Sequence, residues 1–197
     1  MRERTVTFDE TVVRLSAPAL CGIKPACLFS LKGQASPAQV RKVQLWNRAL
    51  QATGRRIVII RRLEALVLFF VYDDAALRAL VLNSGSSDYL CGKGYPTHKG
   101  FCAVLAELFG RLAHSGLFPH EVGLFLGYPL ADVIGFETRH TPCQYTGSWM
   151  VYRNVAAACQ KMRMYRECSR RCCKLLDMGM DVPDISKNYT TTLMEAC

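Results

Sequence analysis

The residues best suited to chemistry lie close together near the middle of the chain, within the segment 118–136. His120 and Glu121 are adjacent and are candidate catalytic residues, either as a general acid and base or as metal ligands. Tyr128 and Asp132 follow as candidate ligand-binding residues. Because backbone N–H groups are free where a helix begins, a helix starting just before Asp132 could hold an anionic group there.

The elements expected around these residues are a strand and a helix. The apolar run 122–126 predicts a strand buried on both faces, and Gly127 and Pro129 predict a tight turn into the helix. The His-Glu pair would lie at the far end of that strand, roughly 20 Å from the helix start. Adjacent strand residues point to opposite faces, so the pair could share a site only at an irregular strand end. Asp132 has an alternative role, which is to complement the helix dipole.

Lys24 is a further candidate ligand-binding residue. It is the charged residue of an otherwise apolar, proline-containing loop predicted over 16–25. As a point charge it could reach a phosphate or carboxylate, and the alternative is a lysine whose stem packs while its ammonium stays in water.

Cys168 and Cys172 are weak candidates for metal ligands. They fall on the apolar stripe of a predicted long helix beginning after Asn154, where two thiolates would make half of a metal site. Core packing is the alternative, because free cysteine is among the most buried residue types. No metal and no cofactor is therefore assigned from the sequence.

Composition limits the class of protein. The 197 residues include ten cysteines, but no Cys-x-x-Cys pair, which argues against zinc-ribbon and thioredoxin-like sites. The first residues lack the apolar stretch of a secretory signal, and the most apolar run, 65–72, is far shorter than the ~20 residues that cross a bilayer. We therefore expect a cytoplasmic protein without membrane insertion.

Basic residues are concentrated in two segments of a chain whose net charge is +9. Segment 32–62 contains eight basic and no acidic residues, and segment 153–174 contains seven basic residues against one glutamate. Such surfaces bind nucleic acid or an acidic protein partner, with simple solvation of helix faces as the alternative. The nucleic-acid hypothesis names Arg55, Arg56, Arg61, Arg62 and the basic face of the last helix, but no recognised reading motif supports it.

Periodicity predicts an α/β (α+β) protein with a single mixed sheet of about five strands and helices packed on it. The remaining predicted elements share clear local signals. They are a strand over 26–31, a helix from Ser36-Pro37, a hairpin of 57–60 and 66–71, a helix over 73–82, a flexible joint over 83–88, a helix over 101–112 and a strand over 148–152. We expect one globular domain over 1–180 and a loosely ordered tail over 181–197.

Three clusters together resemble a family of small cytosolic proteins from anaerobic Gram-positive bacteria that is known as a domain of unknown function. They are Gly-Ile-Lys-Pro-Ala at 22–26, Phe-Pro-His-Glu-x-Gly-x-Phe-Leu-Gly-Tyr-Pro-x-x-Asp-Val-x-Gly-Phe at 118–136, and Gly-Ser-Trp-Met-Val-Tyr at 147–152. The resemblance spans most of residues 12–170. Cys21, Cys27, Cys172 and Cys173 are not signatures of that family.

The resemblance adds Trp149 and Tyr152 to the candidate ligand-binding residues. It also implies a role linked to redox or iron chemistry, because genes of such proteins lie near iron-transport and flavodoxin genes. The leading hypothesis is a site around 118–136 for an anionic small molecule in a ligand-binding or redox-linked accessory protein. The alternatives are a basic adaptor that docks on an acidic redox protein such as a flavodoxin, and a nucleic-acid-binding protein.

Overall fold

The computed structural model describes residues 6–61, 66–114 and 118–195. Helices and strands alternate irregularly along this part of the chain. In order, they are α1 (Phe8–Leu20), β1 (Ala26–Lys32), α2 (Pro37–Leu50), β2 (Arg55–Arg61), β3 (Leu66–Asp73), α3 (Asp74–Leu82), α4 (Ser84–Gly92), α5 (Phe101–Ala113), α6 (Val122–Phe125), α7 (Leu130–Thr138), β4 (Tyr145–Thr146), β5 (Met150–Val151), α8 (Val155–Asp177) and α9 (Val182–Glu195).

A three-stranded antiparallel sheet in the order β1-β3-β2 forms the centre, and β4 and β5 pair separately as a short two-stranded sheet. The mixed α/β class is confirmed, but the prediction of a single sheet of about five strands is wrong. Segment 122–126, expected as a strand, forms the single helical turn α6. A short, fully apolar run carries no period that distinguishes a buried strand from a buried helical turn.

The two faces of the sheet bury separate cores, as the alternation of β3 shows. Val67, Phe69 and Val71 face the core formed with α1, α2, α8 and α9. Leu68 and Phe70, the intervening residues, face the core formed with α3 to α7. Successive side chains of a strand point to opposite faces, so β3 separates the two groups of helices.

Helix α1 extends into the predicted loop. Residues 16–20 are helical, so that part of the prediction is wrong, although 21–25 do form a turn. Pro18 lies in the last turn of α1, where it removes one backbone donor close to the helix end. Its carbonyl accepts hydrogen bonds from Ile23 N and Lys24 N, both at 3.0 Å, which folds the turn back against the helix.

Two other segments expected to lack structure are also helical. The predicted joint over 83–88 begins α4, in which Ser86 and Leu90 are buried. The predicted tail over 181–197 forms α9 through Glu195, and Val182 and Ile185 are fully buried in the core beside α1 and α8. The expectation of loose order is wrong there because these apolar side chains find a core that the local pattern did not reveal.

The helices with strong capping signals begin where the sequence predicts. Ser36 and Gln39 form a capping box at α2, Asp73 caps α3, and Asn154 caps α8 from a left-handed conformation with φ 52°. In the described residues, no helix has both the length and the apolar character needed to span a bilayer.

Candidate functional site

The central segment folds into two short helices joined by a tight turn. Gly127 occupies the turn at φ +76°, and Tyr128 N donates to Gly123 O at 3.0 Å, which closes the chain around α6. A Cβ on Gly123 would lie 3.0 Å from the Tyr128 ring, so glycine allows the ring to lie against α6. This return of the chain brings both ends of the segment to one place, whereas an extended strand would separate them.

A cavity of about 360 Å³ lies between α6, α7 and residues 148–150. We call it the aromatic cavity because most of its wall is apolar or aromatic. Its lining consists of Phe118, His120, Val122, Gly123, Leu126, Tyr128, Asp132, Val133, Phe136, Ser148, Trp149 and Met150. Four of the predicted site residues, from two separate motifs, therefore surround one space: His120, Tyr128, Asp132 and Trp149.

Tyr128 and Trp149 form one wall of the aromatic cavity. Their rings are stacked, with centroids 4.9 Å apart and planes inclined by 20°. Burial raises the pKa of Tyr128 to about 12, helped by the nearby Cys27 and Tyr165, so its phenol is protonated at neutral pH. The hydroxyl has a single long contact of 3.5 Å to Ser148 O, which leaves it able to donate to a ligand.

Asp132 fixes this wall in place. Its side chain is buried and accepts three hydrogen bonds, from Trp149 Nε1 at 2.9 Å, Tyr152 N at 2.8 Å and Arg153 N at 3.1 Å. The carboxylate thus ties α7 to β5 and orients the indole. Its place in the first turn of α7 agrees with the prediction, but the alternative of a simple dipole partner does not describe these contacts.

His120 stands at the exposed edge of the aromatic cavity. Its ring packs edge-on against Phe136, with centroids 5.0 Å apart. No hydrogen-bond partner for its ring nitrogens is found among the described residues, so they remain available to a ligand. His120 is therefore a polar group of the wall with unused hydrogen-bonding capacity.

Glu121 points away from the aromatic cavity into a separate cleft of about 690 Å³. Its carboxylate accepts hydrogen bonds from Arg111 Nη1 at 2.9 Å and from Tyr95 Oη at 3.1 Å. We call this space the charged cleft, since its lining combines basic and acidic residues. They are Lys93, Glu107, Gly110, Arg111, His114, Phe118, Pro119, His120, Glu121 and Glu137. His120 and Glu121 thus both line the charged cleft, but Glu121 is held by Arg111 and Tyr95, and in the described part of the chain no hydrogen bond joins it to His120 as an acid–base pair.

Lys24 and Tyr152 support the wall from behind and do not line the aromatic cavity. Lys24 Nζ lies 5.4 Å from the ring centroids of both Tyr128 and Tyr165, a cation–π arrangement. Tyr152 packs against α7 at Gly135, where a Cβ would lie 2.5 Å from the Tyr152 ring. Both residues were predicted to bind a ligand, and the structure places each beside a residue of the wall or of α7.

The cysteines of α8 belong to a second cluster, on the other side of the sheet. Cys168 and Cys172 are buried one helical turn apart, and Cys21, just after α1, joins them. The three Sγ atoms lie within 4.8 Å of one another, with Cys21 Sγ and Cys172 Sγ 3.4 Å apart. No local pattern marks Cys21, because only the packing of α1 against α8 brings it to the other two.

The thiols of this cluster influence one another's pKa values. A hydrogen bond donated to Cys168 raises the pKa of the Cys21 thiol, and another raises the pKa of the Cys172 thiol to about 12. Because Cys168 accepts these hydrogen bonds, its own pKa is lowered. Tyr189 of α9 packs against this core, and burial together with the nearby Cys168 raises the pKa of Tyr189 to about 12. The three sulfur atoms therefore contact one another as a group rather than packing as independent apolar side chains.

Comparisons with other proteins give one similarity. No curated protein and no solved structure matches the chain significantly. The family model described as a protein of unknown function (DUF3793) matches residues 12–186, which is most of the chain and includes the aromatic cavity and all three clustered cysteines. The chain therefore belongs to this family of unknown function.

Proposed function

We propose that the protein binds a small, planar and largely apolar molecule in the aromatic cavity. The observation that carries the proposal is the cavity itself, whose apolar wall contains the stacked pair of Tyr128 and Trp149. Its volume of about 360 Å³ lies in the lower part of the range typical of ligand sites. Apolar clefts with a few directed polar groups are the usual form of such sites.

The polar groups of the wall indicate where a ligand's polar edge would lie. Asp132 is occupied by its three donors, so His120 and the hydroxyls of Tyr128 and Ser148 are left to contact the ligand. Lys24 is outside the lining, which contains no lysine or arginine among the described residues, so an anionic group of the ligand would lie at the His120 end. Planar heteroaromatic molecules fit this description, and flavins among them would connect the cavity with a redox-linked role.

Fluorescence offers a direct test, because the chain has two tryptophans and Trp46 lies in the opposite core, stacked on Phe8. In the W46F variant the emission reports on Trp149 alone. We expect saturable quenching by lumichrome or riboflavin, confirmed by calorimetry. His120→Ala should weaken binding by about tenfold, the equivalent of one hydrogen bond, while the exposed His98→Ala should leave it unchanged.

A blocked variant makes the test decisive. Ser148 is an exposed residue of the cavity lining, so Ser148→Phe should close the cavity and abolish binding without disturbing a core. Absence of quenching by any planar probe, or equal quenching in the blocked variant, would overturn the proposal.

The exposed face of α8 favours a second candidate function, electrostatic docking of an acidic protein. Lys161, Arg163 and Arg166 are exposed and form no ion pair with a described residue. Arg55, which we predicted to bind nucleic acid, is instead buried in an ion pair with Asp73, at 2.9 Å between Nε and Oδ2. This removes one residue from the nucleic-acid hypothesis.

Charge reversal separates these options. The triple variant K161E/R163E/R166E should lose salt-sensitive binding to an acidic flavodoxin, and the exposed control triple K32E/R41E/R48E, of equal charge change, should retain it. Equal loss in both triples would indicate a nonspecific charge effect and would contradict docking at α8. Binding of duplex DNA with no binding of flavodoxin would favour the nucleic-acid alternative instead.

A further inference from the structure

We propose that Cys21, Cys168 and Cys172 form a binding site for Cu(I), between α1 and α8. The three side chains are 2%, 0% and 0% exposed, and they come from two helices that pack closely against each other. Single buried cysteines are common in cores, but here three sulfur atoms from two elements converge on one point. This site lies on the opposite side of the sheet from the aromatic cavity and is independent of the function proposed for it.

The sulfur separations suit a three-coordinate metal. With metal–sulfur bonds of about 2.3 Å, three sulfur atoms in a plane around one ion are about 4.0 Å apart. That value lies between the separation of Cys21 Sγ and Cys172 Sγ, 3.4 Å, and the 4.8 Å that bounds the group. Loading therefore requires small side-chain shifts and no rearrangement of the helices.

The backbone holds two of the ligands in a fixed relation. Cys168 and Cys172 are four residues apart on α8, so their side chains lie on one face of the helix. Cys21 is the C-cap of α1, and its N–H is anchored on Ala17 O at 2.8 Å. A rigid pair plus an anchored third sulfur is a preorganised set of ligands.

The number and kind of ligands point to Cu(I) rather than to zinc or an iron–sulfur cluster. Structural zinc sites and most iron–sulfur clusters take four protein ligands, and no fourth histidine, cysteine or carboxylate joins this group within the described residues. Soft thiolates select Cu(I), which is satisfied by three sulfur ligands. Binding transfers no electron: each cysteine that binds as a thiolate releases its proton to solvent.

Helix α9 covers the cluster and would shield a bound ion from water. Ser186 Oγ donates to Leu20 O at 2.5 Å, next to Cys21, and Tyr189 packs against the core that contains the three cysteines. Val182 and Ile185 of the same helix are fully buried in this core. An apolar cover that excludes water also protects Cu(I) from oxidation.

The test is an anaerobic titration of the full chain with Cu(I), in competition with a chelator of known affinity. We expect one equivalent to be bound and an X-ray absorption spectrum with three sulfur neighbours. Cys21→Ser, Cys168→Ser and Cys172→Ser should each weaken Cu(I) binding by at least about 100-fold, the upper end of what loss of an outer partner causes. Cys91→Ser and Cys102→Ser, which alter exposed cysteines, are the controls and should bind as the wild type does.

A second readout guards against variants that fail to fold. In a low concentration of urea, which opens the core transiently, Cu(I) loading of the wild type should slow the alkylation of Cys21, Cys168 and Cys172 seen by mass spectrometry in the metal-free protein, while Cys91 and Cys102 are labelled with or without Cu(I). The proposal is overturned if the wild type fails to compete with the chelator or if loading protects the exposed cysteines instead. Zinc binding as tight as Cu(I) binding would also overturn it, because that would require a fourth ligand.

Discussion

The aromatic cavity and the charged cleft share Phe118 and His120 as a common wall, yet their polar groups are used in opposite ways. The charged cleft is the larger, at about 690 Å³ against about 360 Å³. Its charges, however, are paired with one another: Arg111 binds Glu107 and Glu121, and Lys93 binds Glu137. A ligand entering there would have to compete with existing ion pairs.

In the aromatic cavity the one carboxylate of the described lining belongs to Asp132, and it is hydrogen-bonded to the wall. Asp132 holds Trp149, while His120 and the Tyr128 hydroxyl keep capacity for a ligand. The comparison teaches that unused hydrogen-bonding capacity is a better guide to a binding site than volume or charge. Three predictions test this distinction.

Asp132→Ala should produce the largest effect. It leaves three donors without their acceptor, two of them buried, so we expect a loss of about 3–5 kcal/mol in the free energy of unfolding. Urea denaturation measures this loss. Asp88→Ala, at an exposed site, is the control and should change stability by less than about 0.5 kcal/mol.

A loss below about 1 kcal/mol in Asp132→Ala would mean that the carboxylate does not hold the wall. Asp132 would then be available to bind a ligand, and the difference between the aromatic cavity and the charged cleft would be smaller.

Substitution of the adjacent residues Glu121 and His120 should separate stability from binding. Glu121→Ala removes the partner of the buried Tyr95 hydroxyl and one partner of Arg111, so we expect a loss of about 1–3 kcal/mol in stability. His120→Ala should change stability by no more than about 0.5 kcal/mol but weaken binding of a planar probe. Urea denaturation and probe titration of both variants check this division.

The opposite result would merge the two cavities into one site. If Glu121→Ala weakened probe binding as much as His120→Ala did, at unchanged stability, then the two residues would act together on one ligand. The distinction drawn from their separate partners would then be wrong.

Much of the fold could be predicted because local signals define it. The capping residues Ser36, Asp73 and Asn154 mark helix starts by satisfying free backbone donors, whatever the tertiary context. The hairpin of β2 and β3 likewise follows from two β-branched and aromatic runs. Local signals do not show which part of the core an apolar segment packs against. The helices α6 and α9 and the start of α4 depend on such packing.

The residues that surround the candidate site could be predicted, but the directions and partners of their side chains could not. Residues of 118–136 and Trp149 surround one cavity, and the unusual residues of both motifs drew attention to them. The direction of Glu121 could not be predicted, since its partners Tyr95 and Arg111 lie on other parts of the chain. Cys21 was missed for the same reason, because its position beside α8 is set by helix packing alone.

A third predicted effect concerns the wall of the aromatic cavity and its dependence on pH. Burial raises the pKa of Tyr128 from 10.0 to about 12, so the folded protein keeps this proton longer than the unfolded chain does. The stability that Tyr128 contributes is therefore complete below pH 10 and is lost as the pH rises from 10 to about 12. Tyr128→Phe should lack this pH-dependent part of the stability, and urea denaturation across that range measures the difference between variant and wild type.

Tyr145→Phe, at an exposed site on β4, controls for the loss of a hydroxyl. Parallel stability curves for wild type and Tyr128→Phe between pH 10 and 12 would show that the phenol is as hydrated as a free tyrosine, and the cavity would then lose the dry wall that sets it apart from the charged cleft.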